Sequence, residues 1–154
     1  LHMKLFNKIT LIVFLFTIVF TAIQFPNLPS EVPSHYNIMG EADAWANKWF
    51  IFFIPLLGFG LWLLLGQVEK FPEFINMPNG GEPLNKEQLQ NSVGLMYMIR
   101  NEVLLFMSLL TLKEVFTAIG YAINLGVWEF VIFVVMMTVT IVWYIVKNNK
   151  LKTV

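Results

Sequence analysis

The chain has 154 residues, of which 57% are hydrophobic, 16% aromatic and only 13% charged, and its formal net charge is zero. Soluble domains carry about 25% charged residues, so this composition excludes an ordinary soluble fold and predicts a polytopic membrane protein. Zero net charge argues against a nucleic-acid partner, and the lack of cysteine excludes disulfides and thiol catalysis.

Leu1-His2 resembles a cloning remnant ahead of Met3, which leaves a single domain over 3–154 and His35 as the histidine to weigh. A first apolar segment runs over 9–25, preceded by Lys4 and Lys8. A signal peptide is the competing interpretation. The segment lacks a small-x-small cleavage site and exceeds the usual apolar core of about 7–15 residues, so a membrane span is expected. The loop over 26–48 follows. Pro26, Pro29 and Pro33 make its first half extended or turning.

A second span is expected over 49–65. Pro55, with Gly58 and Gly60, predicts a kinked helix that packs closely on a neighbour. The loop over 66–85 holds Pro72, Pro78, Pro83 and Gly80-Gly81 and is expected to be irregular. Asn85 is suited to cap a helix starting near Lys86, with Glu87 near the positive end of its dipole. That third helix would exceed 30 residues. Its membrane part is expected over 103–123, and the fourth span over 127–146. About three residues around Asn124 would join them as an antiparallel hairpin. Each segment approaches the roughly 20 residues needed to cross a bilayer.

The predicted fold class is therefore all-α, a four-transmembrane-helix bundle with an ordered outer loop between helices 1 and 2. Basic residues set the orientation. Lys4, Lys8, Lys70, Lys86, Arg100, Lys147, Lys150 and Lys152 would face the cytoplasm, and Lys48 the outside. Both termini are then cytoplasmic. Tyr36, Trp45, Trp49, Tyr121 and Trp128 would mark the outer interface, and Trp143 and Tyr144 the inner one.

The outer loop carries a motif. Pro33, His35, Tyr36, Asn37, Gly40, Asp43, Trp45 and Lys48 precede a helix with an early proline, Pro55. This pattern resembles a bacterial membrane domain of unknown function that occurs alone and as the N-terminal part of SdpI-type immunity proteins. The resemblance runs from about Leu28 to Thr111. It includes a looser match at Pro78-Asn79 and Leu84-Asn85-Lys86-Glu87. SdpI-type proteins continue into a further membrane half. This chain is similar to the stand-alone form. The resemblance implies a bacterial cytoplasmic-membrane location, a peptide toxin or membrane-protein partner, and protection or signalling rather than catalysis.

Two sets of side chains carry candidate chemistry. His35 lies near Glu31, Glu41 and Asp43, and an imidazole with carboxylates such as Glu41 and Asp43 could hold a divalent metal and acidify a bound water. The plainer alternative is that His35 and Asn37 bond backbone groups and hold the loop together. A pH-sensing or acid–base role is a third. Gly40 would supply a left-handed turn. An Asp43–Lys48 ion pair would pin the loop, contributing under about 1 kcal/mol if exposed.

The second set is intramembrane: Arg100, Glu102, Lys113 and Glu114. The expected third span places Lys113 and Glu114 near the midplane, where an ionised group costs at least ~2.5–3.5 kcal/mol. Adjacent residues diverge by about 100° on a helix, so the two are expected to seek partners elsewhere. Glu102 and Lys113 share a stripe but lie about 16 Å apart along the axis, and Arg100 and Glu114 are further still. Thr17, Thr21, Thr138 and Thr140 are the expected partners.

The leading functional expectation is a bacterial membrane protein that recognises a peptide or envelope signal. The rivals are a small membrane metalloenzyme using His35 and nearby carboxylates, and an oligomeric transporter component using Lys113 and Glu114.

Overall fold

The computed structural model describes residues 2–37, 39, 41–71, 83–121, 123 and 125–151. Its element order is α1 (His2–Gln24), β1 (Glu31–Tyr36), β2 (Ala42–Asn47), α2 (Phe53–Val68), α3 (Lys86–Ala118) and α4 (Trp128–Lys150). Short 3-10 turns at Phe25–Asn27 and Lys48–Phe52 flank the strands. All four long helices are long and apolar enough to cross a membrane. The structure is mostly rather than wholly helical, because the loop after α1 forms an antiparallel β-ladder.

Helix α3 is the central post, packing against α1, α2 and α4. The buried positions it presents to them are mostly small or polar, with Leu95, Leu104 and Val115 as the large apolar exceptions. Thr10, Thr17 and Thr21 of α1 are buried, as are Ser92, Asn101, Ser108 and Thr111 of α3. Ile12, Leu15, Leu64, Phe130 and Val139 point outward and are exposed. This inverts the soluble pattern and suits helices in lipid, where small residues allow close approach. Most of the hydroxyls are satisfied within their own helices. Thr10, Ser92, Ser108 and Thr111 donate to carbonyls one turn back at 2.7–3.0 Å. Thr17 also reaches across from α1 to the Ser108 carbonyl at 3.4 Å.

Asn85 caps α3 as expected, and its capping box is closed by Gln88. The 33-residue length also agrees. Pro55 does not kink α2. It sits in the first turn, where the 3-10 segment gives way to the α-helix, and there its missing N–H disrupts no bond. Gly58 is a contact point, because a Cβ there would lie 2.9 Å from Met107 Sδ. Gly60 has no heavy atom within 4 Å of that position and plays no packing role. The α3–α4 connection is longer than expected, covering 119–127. Asn124, Gly40, and the loop residues Pro72, Pro78, Asn79, Gly80 and Gly81 lie outside the described residues.

The β-ladder pairs Val32 with Ala46 and Pro33 with Trp45, and is irregular on either side of His35. Pro33 is tolerated because each strand of a two-stranded ladder has a free edge. Val32 is the anchor. With Leu28, Ile51 and Val115 it forms a buried apolar cluster, flanked by Phe20 and Phe25, that fixes the ladder on the ends of α1 and α3. Lys48 N–H to Ser30 O at 3.0 Å closes its base.

Candidate functional site

Between the ladder and the ends of α2, α3 and α4 lies a half-open cavity of about 480 Å³. Its walls are mainly apolar, including Phe50, Ile54, Phe106, Leu110 and Phe130. One corner is charged. Lys113 Nζ lies 3.0 Å from Glu114 Oε1 and 3.0 Å from Glu129 Oε2. The Tyr36 hydroxyl donates to the other oxygen of Glu114, and the Lys113 ammonium stands 5.1 Å from the centre of the Tyr36 ring. Burial, and then the Glu114 carboxylate, push the Tyr36 phenol far above its ordinary range, so it stays a neutral donor.

This arrangement corrects the sequence expectation in two respects. Helix α3 ends at Ala118, so Lys113 lies five residues, about 7.5 Å, from that end. It is not at the helix centre, which is Glu102. Lys113 and Glu114 also do meet, because the long lysine stem bends back over the cavity to reach both carboxylates. Their partners are Glu129 and Tyr36 and not the threonines. Thr17 serves the α1–α3 contact, Thr138 bonds the Val134 carbonyl, and Thr140 bonds Glu102.

Glu129 was missed by sequence reasoning. It sits in the first turn of α4, where the helix dipole favours an anion, and its other oxygen accepts the Leu125 N–H at 3.3 Å. An acidic residue at the edge of one span, opposite a lysine near the end of the span before it, was the available signal.

The loop motif divides into separate groups. Pro33 and Asn37 line the cavity. Asn37 also organises the tip of the ladder. Its side-chain oxygen accepts the N–H of Met39 and of Glu41, and its amide donates to Glu41 Oε2 at 3.0 Å. His35 Nδ1 lies 2.5 Å from Asp43 Oδ1 on the exposed face. The expected metal set of His35, Glu41 and Asp43 is not assembled, because Glu41 turns to Asn37. Among the described residues no three His, Asp or Glu side chains are grouped to hold a metal. The Asp43–Lys48 pair is not formed either. Asp43 is committed to His35, and the Lys48 ammonium lies against the Phe25 ring, 3.3 Å from its carbonyl oxygen. Trp45 is exposed on the ladder, and Pro55 is buried in α2.

The remaining intramembrane candidates lie elsewhere. Arg100 pairs with Glu69 at the far end of α2, at 2.8 Å, and its guanidinium stacks on Trp62 and Tyr97. Burial raises the Glu69 carboxyl above its ordinary value, and Arg100 opposes that rise. Glu102 is buried between α3 and α4, where it accepts a 2.5 Å hydrogen bond from Thr140.

A family model described as a domain of unknown function, DUF1648, matches residues 12–59. The match takes in most of α1, the ladder and the first part of α2, and so all the motif residues from Pro33 to Pro55. The cavity's charged corner, on α3 and α4, falls outside it. No curated protein and no solved structure matches the chain.

Proposed function

We propose that this protein is a non-catalytic bacterial membrane protein that recognises a cationic amphipathic peptide in the cavity beneath the ladder, in toxin immunity or envelope signalling. The observation that carries this is the cavity itself. At about 480 Å³ it falls in the size range of ligand sites. Its walls are apolar, and its charged lining is two carboxylates and one ammonium, a formal charge of minus one. Such a lining favours a ligand with an apolar body and a positive group. The lysine distribution supports an orientation with the ladder outside and both termini in the cytoplasm, which would open the cavity to secreted peptides. The resemblance of the loop motif to SdpI-type proteins supports the immunity version.

The test uses the protein in zwitterionic nanodiscs, with empty discs as control. A Lys/Leu amphipathic peptide and its Glu/Leu counterpart are titrated by calorimetry. The cationic peptide should bind at least about tenfold more tightly, roughly 1.4 kcal/mol. The double variant Glu114→Gln, Glu129→Gln should erase that preference. Absence of saturable binding, or unchanged binding when Leu110→Trp fills the cavity, would overturn the proposal.

A further inference from the structure

Glu102 is the central residue of α3, sixteen residues from either end of Lys86–Ala118. It is 3% exposed. Its side chain lies in the seam between α3 and α4, away from water. Its Oε1 accepts from Thr140, and its Oε2 is buried with no hydrogen-bond partner among the described residues. Among the described residues no cation is paired with it. Arg100 is turned to α2 and paired with Glu69. Lys113 is eleven residues away and paired with Glu114 and Glu129. The buried polar side chains of α1 that face α3 include threonines and no charges. On α4 the titratable side chain in electrostatic reach is Tyr144, which is neutral at ordinary pH.

A carboxylate held by one hydroxyl in a low-dielectric seam is strongly disfavoured against the neutral acid. The surroundings of the seam are asymmetric. Toward the cavity, Phe106 of α3 and Phe133 of α4 stack with centroids 4.0 Å apart and close the seam. Toward the other end Leu95, Ile99 and Ile141 pack first, and polar groups resume beyond them. Asn91 donates to the Tyr144 carbonyl and leaves its Oδ1 without a partner among the described residues. Asn148 is 1% exposed, and among the described residues neither of its side-chain polar atoms has a hydrogen-bond partner. Asn91, Gly94 and Tyr144 line a second cavity of about 380 Å³ at that end. Gly94 is eight residues from Glu102, about 12 Å along the helix.

We propose that Glu102 is an intramembrane proton-binding site, a carboxylic acid that is neutral at neutral pH and exchanges its proton with water through the Asn91–Tyr144 end of the α3–α4 seam. The exchange is simple in chemistry. The acid O–H gives its proton to water and becomes a carboxylate, and uptake reverses this. Ionisation would leave an unpaired charge between α3 and α4, so proton occupancy biases how tightly α4 sits on the central helix.

Infrared spectroscopy of the full chain in lipid bilayers tests this. A carbonyl stretch of a protonated carboxylic acid should be present at neutral pH, shift on transfer to D₂O, and be lost in Glu102→Gln. Thr140→Val removes the hydrogen bond without touching the acid, so it should move the band to higher wavenumber and keep its intensity. Glu69→Gln, outside the seam, should leave the band unchanged. Absence of the band at neutral pH, or its survival in Glu102→Gln, would overturn the assignment. A band that neither titrates nor shifts in D₂O would make Glu102 a sealed structural acid and overturn the exchange.

Discussion

Lys113 of α3 donates to Glu129 of α4 at 3.0 Å, and this contact ties the two helices together at the rim of the cavity. It is the hairpin-end member of a series. Thr140 to Glu102, Asn91 to the Tyr144 carbonyl, and Gln88 to the Asn148 carbonyl follow down the same antiparallel pair. Between Glu129 and Lys147 helix α4 is otherwise apolar apart from Thr138 and the Tyr144 hydroxyl, so these polar ties fix its register on α3.

The rim contact predicts a specific pattern of destabilisation. The side chains of Lys113, Glu114 and Glu129 are 17%, 19% and 13% exposed, too buried for water to screen them fully. Lys113→Met leaves two carboxylates facing one another and should cost roughly 3 kcal/mol or more. Adding Glu129→Gln should recover much of that loss, giving a double variant better than the sum of the singles. Unfolding in mixed micelles reads this out. Full additivity would mean that the two charges do not share one network.

Tyr36 predicts a loss of stability in alkali. Its folded-state pKa is raised above the ordinary 10.0, first by burial and then by Glu114. The stabilisation is therefore fully present below about pH 10 and is lost as pH rises toward the folded-state value. Wild type should lose ladder structure in alkali more steeply than Tyr36→Phe, whose ring cannot ionise. Circular dichroism across that range is the measurement, and parallel curves would count against the contact.

Two glycines close in sequence separate packing from propensity. Gly58→Ala would place a Cβ 3.0 Å from Met107 Cβ, which side-chain rotation cannot relieve, so α2 must shift on α3. The expected cost is about 1–3 kcal/mol. Gly60→Ala meets nothing within 4 Å and should be neutral or stabilising by up to about 1 kcal/mol through helix propensity. Thermal unfolding of the two variants side by side checks the contrast.

The proposed orientation is tested with single cysteines, since the chain has none of its own. Ser34→Cys should react with an impermeant thiol reagent in intact cells, and Asn149→Cys should react only after lysis. The reverse pattern would place the cavity on the cytoplasmic side.

Four apolar segments, the approximate limits of the first, second and fourth, the Asn85 cap and the unusual length of α3 were determined by the sequence alone. Each is a local property: an apolar run long enough to span, or a side chain that completes a helix end. The loop motif was legible as a pattern but not as a ladder, because its prolines obscure strand periodicity and its register depends on Val32 finding Leu28, Ile51 and Val115. The charged corner was decided only by tertiary structure. Lys113 meets Glu129 because α3 stops at Ala118 and α4 starts at Trp128, and no spacing within one helix encodes where two helix ends meet. Glu102 carries the same lesson. It is one acidic residue in a long helix until the packing of α4 brings Thr140 to its side and buries it between two helices.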